Sequence, residues 1–280
     1  MIVVTGARGR VGGAVASRLA ARGIKARLVV RAAGGVHTAP CAEVAEADFE
    51  DVAALTAALY GARAALLVTN DPTRPRLDRN LADAARAAGV QHVVRLSALS
   101  VAEPDADDLI TRWHRECEQY LAQAVPACTF LRPRAFMANT LRWAAAVRAG
   151  TLRLPCTGAP TPCVDHRDVA EVAVRALTEP GHEGRAYPLT GPAALTAAQQ
   201  VALLAEVLGR PLRLEEISIA EARRELLGGY PAAIADAIEA GLHRLAAGAK
   251  AAVEPTVRLV TGREPGTFRQ WALDHRPQFT

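Results

Sequence analysis

The residues Ile2-Val3-Val4-Thr5-Gly6-Ala7-Arg8-Gly9-Arg10-Val11-Gly12 decide the fold. The first four are all β-branched and read as a strand, whereas Val11 to Ala21 repeats apolar residues every three or four positions, as a helix does. Between them lies a G-x-x-G-x-x-G pattern, directly after a strand and at the opening of a helix, where a glycine-rich turn binds a dinucleotide. Gly6 allows the tight turn, Gly9 lets backbone N–H groups approach a pyrophosphate, and Gly12 lets helix pack closely on strand. The helix N-terminus supplies favourable partial charge. Arg8, Arg10 and Val11 complete the expected cofactor loop.

Outward from this turn, short apolar runs alternate with longer amphipathic ones, the signature of βα units around a parallel sheet. Further strands are expected at Ala26 to Val30, Glu43 to Ala47, Ala64 to Thr69, His92 to Ser97 and Cys128 to Leu131. Helices are expected at Val52 to Leu59, Leu77 to Ala88 and Thr111 to Ala124. Beyond Gly150 the character changes: Pro155, Pro160 and Pro162 crowd together and the pieces shorten. Asp168 to Leu177, Thr196 to Leu208 and Ala220 to Leu227 read as helices, Ala186 to Leu189 and Leu212 to Ile217 as strands. The expectation is an α/β chain: a doubly wound parallel sheet of the Rossmann type over residues 1–155, and a smaller α+β C-terminal substrate lobe over 156–280 with no long linker.

The chain has 280 residues, half of them hydrophobic, enough for a large core. Its 33 basic and 29 acidic residues are dispersed along the chain, which gives no ground to expect nucleic acid. No apolar run reaches the roughly 18 residues of a membrane span. Met1 leads straight into a strand without a secretory leader, so a cytoplasmic protein, monomer or homodimer, is expected. Cys41, Cys117, Cys128, Cys156 and Cys163 have no metal-site spacing and read as reduced thiols; no metal is expected. Only Lys25 and Lys250 are lysines. Alanine richness and the excess of Arg over Lys suggest a high-GC bacterial source.

The end of the second strand separates NAD from NADP, because an acid there accepts from the ribose 2′-OH and repels a 2′-phosphate. Here Val30-Arg31-Ala32-Ala33 is followed by no carboxylate before Glu43. Arg31 therefore favours NADP(H), with Arg8 as a second cation for the same phosphate. Asp48-Phe49, after the third strand, either meets the adenine or caps the next helix.

These segments, with Leu67-Val68-Thr69-Asn70, Leu96-Ser97, His114 with Glu118, Leu131-Arg132-Pro133, Phe136-Met137, Asn139, Asp168-Val169-Ala170, Leu189-Thr190-Gly191-Pro192 and a closing Phe268 to Trp271, resemble the NmrA-like branch of the atypical short-chain dehydrogenase/reductases, and within it the bacterial type-2 quinone oxidoreductases. The resemblance runs over nearly the whole chain. It implies NADP(H) across the carboxyl ends of the strands, Thr69, Asn70, Ser97 and Pro133 near its nicotinamide half, and Phe136, Met137 and Asn139 beside a small-molecule substrate.

Typical members of the wider superfamily use a Tyr acid/base and a Lys four residues later. Here Tyr60, Tyr120, Tyr187 and Tyr230 are followed at that spacing by Ala64, Ala124, Gly191 and Ile234. Aligned on the acid, Glu118 puts His114 at the Lys position and Ile110 at the Tyr position, on one helical face. His114 then either positions the ribose or protonates the reduced substrate; alternatively it and Glu118 form an i, i+4 surface pair. Ser97 is the other catalytic candidate, or else a strand-end cap. Without the tyrosine, an acceptor that delocalises the charge it gains fits best. The expected activity is an NADPH-dependent oxidoreductase acting on a quinone or similarly conjugated molecule; the alternatives are a non-catalytic NADP(H) sensor and a relative of the sugar-nucleotide epimerases and dehydratases.

Overall fold

The computed structural model describes residues 1–32 and 42–280. Ala33 and Cys41 lie outside the described residues. The strands are β1 (Ile2–Thr5), β2 (Ala26–Val30), β3 (Ala42–Glu46), β4 (Ala64–Leu67), β5 (His92–Leu96), β6 (Ala127–Pro133), β7 (Thr151–Leu154), β8 (Ala186–Leu189) and β9 (Arg213–Glu216). The helices are α1 (Arg10–Ala21), α2 (Val52–Leu59), α3 (Arg76–Ala87), α4 (Leu109–Ala124), α5 (Ala144–Ala149), α6 (His166–Thr178), α7 (Ala197–Leu208), α8 (Ile219–Leu226), α9 (Ala232–Ala246), α10 (Thr256–Thr261) and α11 (Phe268–Asp274).

Seven strands form one sheet in the order β3-β2-β1-β4-β5-β6-β8. The first six of that order pair in parallel, for example Val3 with Arg27 and with Ala65, and Val94 with Thr129. The two strands at the centre of this order, β1 and β4, are buried on both faces and have no exposed residue. The order reverses between β1 and β4, which opens a crevice at their carboxyl ends, the binding position in doubly wound sheets.

The chain divides into two compact units that interleave along the sequence. The first comprises Met1–Ala102, Thr111–Pro133 and His166–Pro188; the second comprises Glu103–Ile110, Arg134–Asp165 and Leu189–Thr280. The single division expected near residue 155 coincides with no boundary of either unit. Helix α6, read from sequence as part of the later lobe, belongs to the first unit, where it packs on α1. From Asp168 to Leu177 only Arg175 is not buried, so this helix needs cover all round. Its Glu171 accepts from Arg22 at 2.5 Å and lies 3.3 Å from Arg18 of α1.

The other main core of the first unit joins Leu55 and Leu59 of α2, Leu81 of α3 and Leu121 of α4 to Val3, Leu67 and Val93 of the sheet. The second unit has its own core of Met137, Leu152, Leu204, Phe268, Trp271 and Phe279. Its strands β7 and β9 pair in parallel, Leu152 beside Leu214. Helices α7 and α8 each start with a capping box, Thr196 with Gln199 and Ser218 with Glu221, which satisfies N–H groups at both ends of the reciprocal pair. No helix among the described residues is long and apolar enough to cross a membrane.

Candidate active site

The turn after β1 has no slack. Gly6 lies at φ +65°, and a Cβ there would stand 2.9 Å from Val68 Cβ, just past β4. At Gly12 a Cβ would lie 2.3 Å from the Gly6 carbonyl oxygen and 3.0 Å from that of Thr5, both backbone. Only glycine lets α1 start this close to β1. Gly9 differs: its φ is −82°, it stands at the N-cap of α1, and a Cβ would meet only the Gly6 oxygen at 3.2 Å. Beyond that single contact within the turn, the space beside Gly9 is open, which leaves room for a pyrophosphate to approach its backbone. Arg8, Gly9 and Arg10 are exposed and Val11 is buried beneath the loop. The Arg8 guanidinium donates to the Ala32 carbonyl oxygen, so it reaches the end of β2 beside the exposed Arg31. The cradle, the helix N-terminus and the two cations fit a phosphorylated dinucleotide.

Asp48 is exposed and accepts from the Glu50 N–H at 3.0 Å. The cap of α2 is Asp51, which accepts from Ala54 N–H at 3.0 Å, so the capping alternative for Asp48 does not hold. Phe49 is half-buried, and its carbonyl oxygen accepts from the Asn80 amide at 2.8 Å. Thr69 donates to Asp78 Oδ1 at 2.5 Å, which ties the chain after β4 to α3, whereas Asn70 is exposed. Asp78 also accepts from Arg95 at 2.8 Å and, through Oδ2, from the Trp113 indole at 2.8 Å. Trp113 is thereby fixed as a structural residue.

Ser97 follows β5 directly. Its N–H donates to the Leu131 carbonyl at 2.7 Å and its hydroxyl to Glu118 Oε1 at 2.6 Å. Glu118 on α4 is 6 % exposed and also accepts from both arms of Arg132, Nε at 2.9 Å and a terminal nitrogen at 2.5 Å. The Glu118 carboxylate is thus neutralised by a bidentate cation and holds the one Ser97 proton, leaving the serine oxygen as an acceptor. The surface ion-pair alternative for His114 and Glu118 fails on burial, since His114 is 9 % exposed. His114 stands one turn before Glu118, its ring 4.2 Å from that of Trp113. Pro133 closes β6 and is buried.

Arg132 was missed as a site residue, because its partner lies on another element and spacing along the chain does not betray it. Asp78 and Arg95 were missed for the same reason. In the second unit, Phe136 bridges to Val164, Asn139 is exposed, and Met137 is core. Met137 also lines a cavity of about 180 Å³ with Cys163, Leu195, Leu203 and Phe268. Burial pushes the Cys117, Cys128 and Cys163 thiols up to about 11, which keeps them protonated and poor nucleophiles at neutral pH. Among the described residues no cluster of His, Cys, Asp and Glu could hold a metal ion.

The model of the NmrA-like family matches residues 1–261. The (4-alkanoyl-5-oxo-2,5-dihydrofuran-3-yl)methyl phosphate reductase of Streptomyces griseus is 50 % identical over 287 residues, covering 100 % of this chain and 99 % of the relative. The NAD(P)H azoreductase of Xenophilus azovorans is 36 % identical over 285 residues, with 100 % and 99 % covered. Among solved structures, the NADPH-dependent quinone oxidoreductase QOR2 of Escherichia coli in complex with NADPH superposes with a TM-score of 0.83 at 28 % identity, covering 97 % of this chain and 98 % of that one. The match spans the glycine turn, the sheet and most of the second unit: this chain belongs to the NmrA-like family.

Proposed function

We propose that this protein is an NADPH-dependent reductase of a small conjugated acceptor, of the acyl-butenolide phosphate type or a quinone. The observation that carries the reading is the turn after β1, where Gly6 and Gly12 leave no room for a side chain and a Cβ at Gly9 would meet only the Gly6 carbonyl oxygen. In its relatives this fold serves reduction of an acylated dihydrofuranone phosphate, of azo compounds and of quinones. These acceptors share one property: the charge that arrives with hydride spreads over a conjugated system. This favours the reductase over the sensor and epimerase alternatives.

Bound NADPH supplies the hydride. Gly6, Arg8, Gly9, Arg10, Val11 and Gly12 would hold its pyrophosphate, Arg31 and Arg8 its 2′-phosphate, and Asp48 and Phe49 its adenine. Thr69, Asn70 and Pro133 would border the nicotinamide end. Ser97, its own proton given to Glu118, accepts a hydrogen bond and so orients its partner. His114 delivers the proton that completes the reduction, and no tyrosine is needed because the acceptor stabilises its own negative charge. Phe136, Met137 and Asn139 stand as substrate contacts.

The test is steady-state NADPH oxidation over acyl-butenolide phosphates, quinones, azo dyes and unconjugated ketones, beside a direct NADPH titration. Turnover is expected with the conjugated acceptors only, and His114→Ala should lower kcat by about 10 to 10³-fold with little change in NADPH affinity. Tight NADPH binding with no turnover of any conjugated acceptor would overturn the assignment.

A further inference from the structure

Five charged side chains of the second unit converge around the end of α9. Glu103 accepts from Arg134 and stands 3.2 Å from Arg244, whose other arm donates to Asp108 at 2.6 Å. Lys250 lies close enough for all four to act on its ionisation. Its Nζ sits over Gly241, where a Cβ would come within 3.3 Å of it. Glycine inside a helix is unfavourable, and here it makes room for the ammonium.

The bookkeeping of charge leaves a remainder. Three cations face two carboxylates, and both carboxylates are engaged by the arginines. Lys250 has no hydrogen-bond or ion-pair partner among the described residues, although it is half-buried. Arg134, 9 % exposed in its side chain, has a buried Nε with no acceptor. A half-buried ammonium and a buried guanidinium N–H, both unused, are costly unless an anion completes them. Chain connectivity narrows the anion, because Arg134 directly follows β6 and Glu103 follows the short helix Leu99–Ala102 after β5. In the chain, Glu103 and Arg134 thus follow β5 and β6, whereas Arg31, proposed for the cofactor phosphate, follows β2.

We propose that Lys250, Arg134 and Arg244 form an anion site that takes the phosphate monoester of the substrate. This rests on the reading of the chain as a reductase of a conjugated acceptor and adds to it which end of the molecule is gripped. A phosphate monoester is dianionic above pH ~6 and has three acceptor oxygens, matching one compact ammonium and a guanidinium edge. The lysine, one of only two in the chain, is a point charge that the surrounding arginines cannot replace in place.

The same geometry sets a pH limit. Burial, first, pulls the Lys250 ammonium down to about 8; Arg244 and Arg134 act in the same direction, Glu103 and Asp108 against it. The Cys156 thiol, also within reach of Lys250, is pushed up by burial and by Glu216, so it stays neutral through this range. Recognition of the phosphate should fade as pH rises through about 8.

The experiment compares an acyl-butenolide methyl phosphate with its dephosphorylated alcohol as acceptors for the full chain. In the wild type kcat/KM should favour the ester about 30- to 100-fold, chiefly through KM, with the preference falling above pH ~8. Lys250→Met should collapse that ratio below about 5-fold, and Lys250→Arg should restore most of it without the alkaline limb. Equal kcat/KM for ester and alcohol in the wild type, or an unchanged ratio in Lys250→Met, would overturn the site. If neither acceptor is reduced, the reductase reading fails by itself. The site is then judged by calorimetry with inorganic phosphate: binding to the wild type that is lost in Lys250→Met upholds it, and equal or absent binding in both overturns it.

Discussion

Gly12 shows how one missing carbon can hold a fold. Its would-be Cβ meets the Gly6 carbonyl oxygen of the turn at 2.3 Å and that of Thr5 in β1 at 3.0 Å, both backbone, so no side chain can swing away. Gly12→Ala should cost at least about 2–3 kcal/mol, read as a lowered Tm. Gly9→Val should instead leave the Tm near wild type and abolish NADPH binding, because its side chain would fill the space left for the pyrophosphate. A folded Gly9→Val protein with an unchanged NADPH titration would remove this loop from the cofactor site. In the same titration Arg31→Asp should weaken NADPH by about 1.5–3 kcal/mol and spare NADH, since only the former carries a 2′-phosphate. Of Arg31 the structure shows an exposed side chain just past β2. The glycine pattern was legible from sequence because it acts within its own short segment. Arg132 was not: its bond to Glu118 spans two elements.

At the level of elements, Asp78 does more than its place on α3 suggests. One carboxylate joins the chain after β4 through Thr69, β5 through Arg95, and α4 through Trp113, next to His114. Arg95 is 1 % exposed, and its ring-stacked position over Trp113 depends on the same acid. Asp78→Ala should therefore destabilise the protein by about 3–5 kcal/mol, as removal of one partner strands a buried charge. Chemical unfolding with and without the substitution measures it; a loss under about 1 kcal/mol would mean that the network is dispensable. The elements of the first unit were readable because parallel strands buried on both faces are continuous apolar runs. β7, α5, α9, α10 and α11 escaped: α5 and α9 are rich in alanine, which barely marks a periodicity, and α10 and α11 are too short to show one.

For the molecule as a whole, two bases partly or wholly removed from water shape stability against pH in a defined sense. His92 lies against Thr129, whose hydroxyl already donates to the His182 carbonyl, so Nε2 of His92 must be the donor in their 2.8 Å contact. Burial lowers its ionisation from 6.5, the fold prefers it neutral, and stability should fall as pH drops below 6.5. Lys250 is also lowered, from 10.5 to about 8, so the unfolded chain binds more protons between those values. Stability should therefore rise over that window, by about 1–3 kcal/mol. Lys250→Met should melt above the wild type at pH 7 and lack the alkaline rise. If the substitution lowers the Tm at pH 7, the lysine contributes to stability and carries no strain.

The interleaving of the two units bears on synthesis. Helix α6, whose Glu171 binds Arg18 of α1 and Arg22 just after it, and β8, which covers the outer edge of β6, are synthesised only after Arg134–Asp165. Until Pro188 emerges, the nascent sheet carries an open edge and an uncovered apolar helix face, the two features that invite association with other chains. A polypeptide ended at residue 155 would keep both permanently. The glycine turn proposed to hold the cofactor is finished within the first dozen residues, yet the scaffold around it is completed by some of the last-made parts of its own unit.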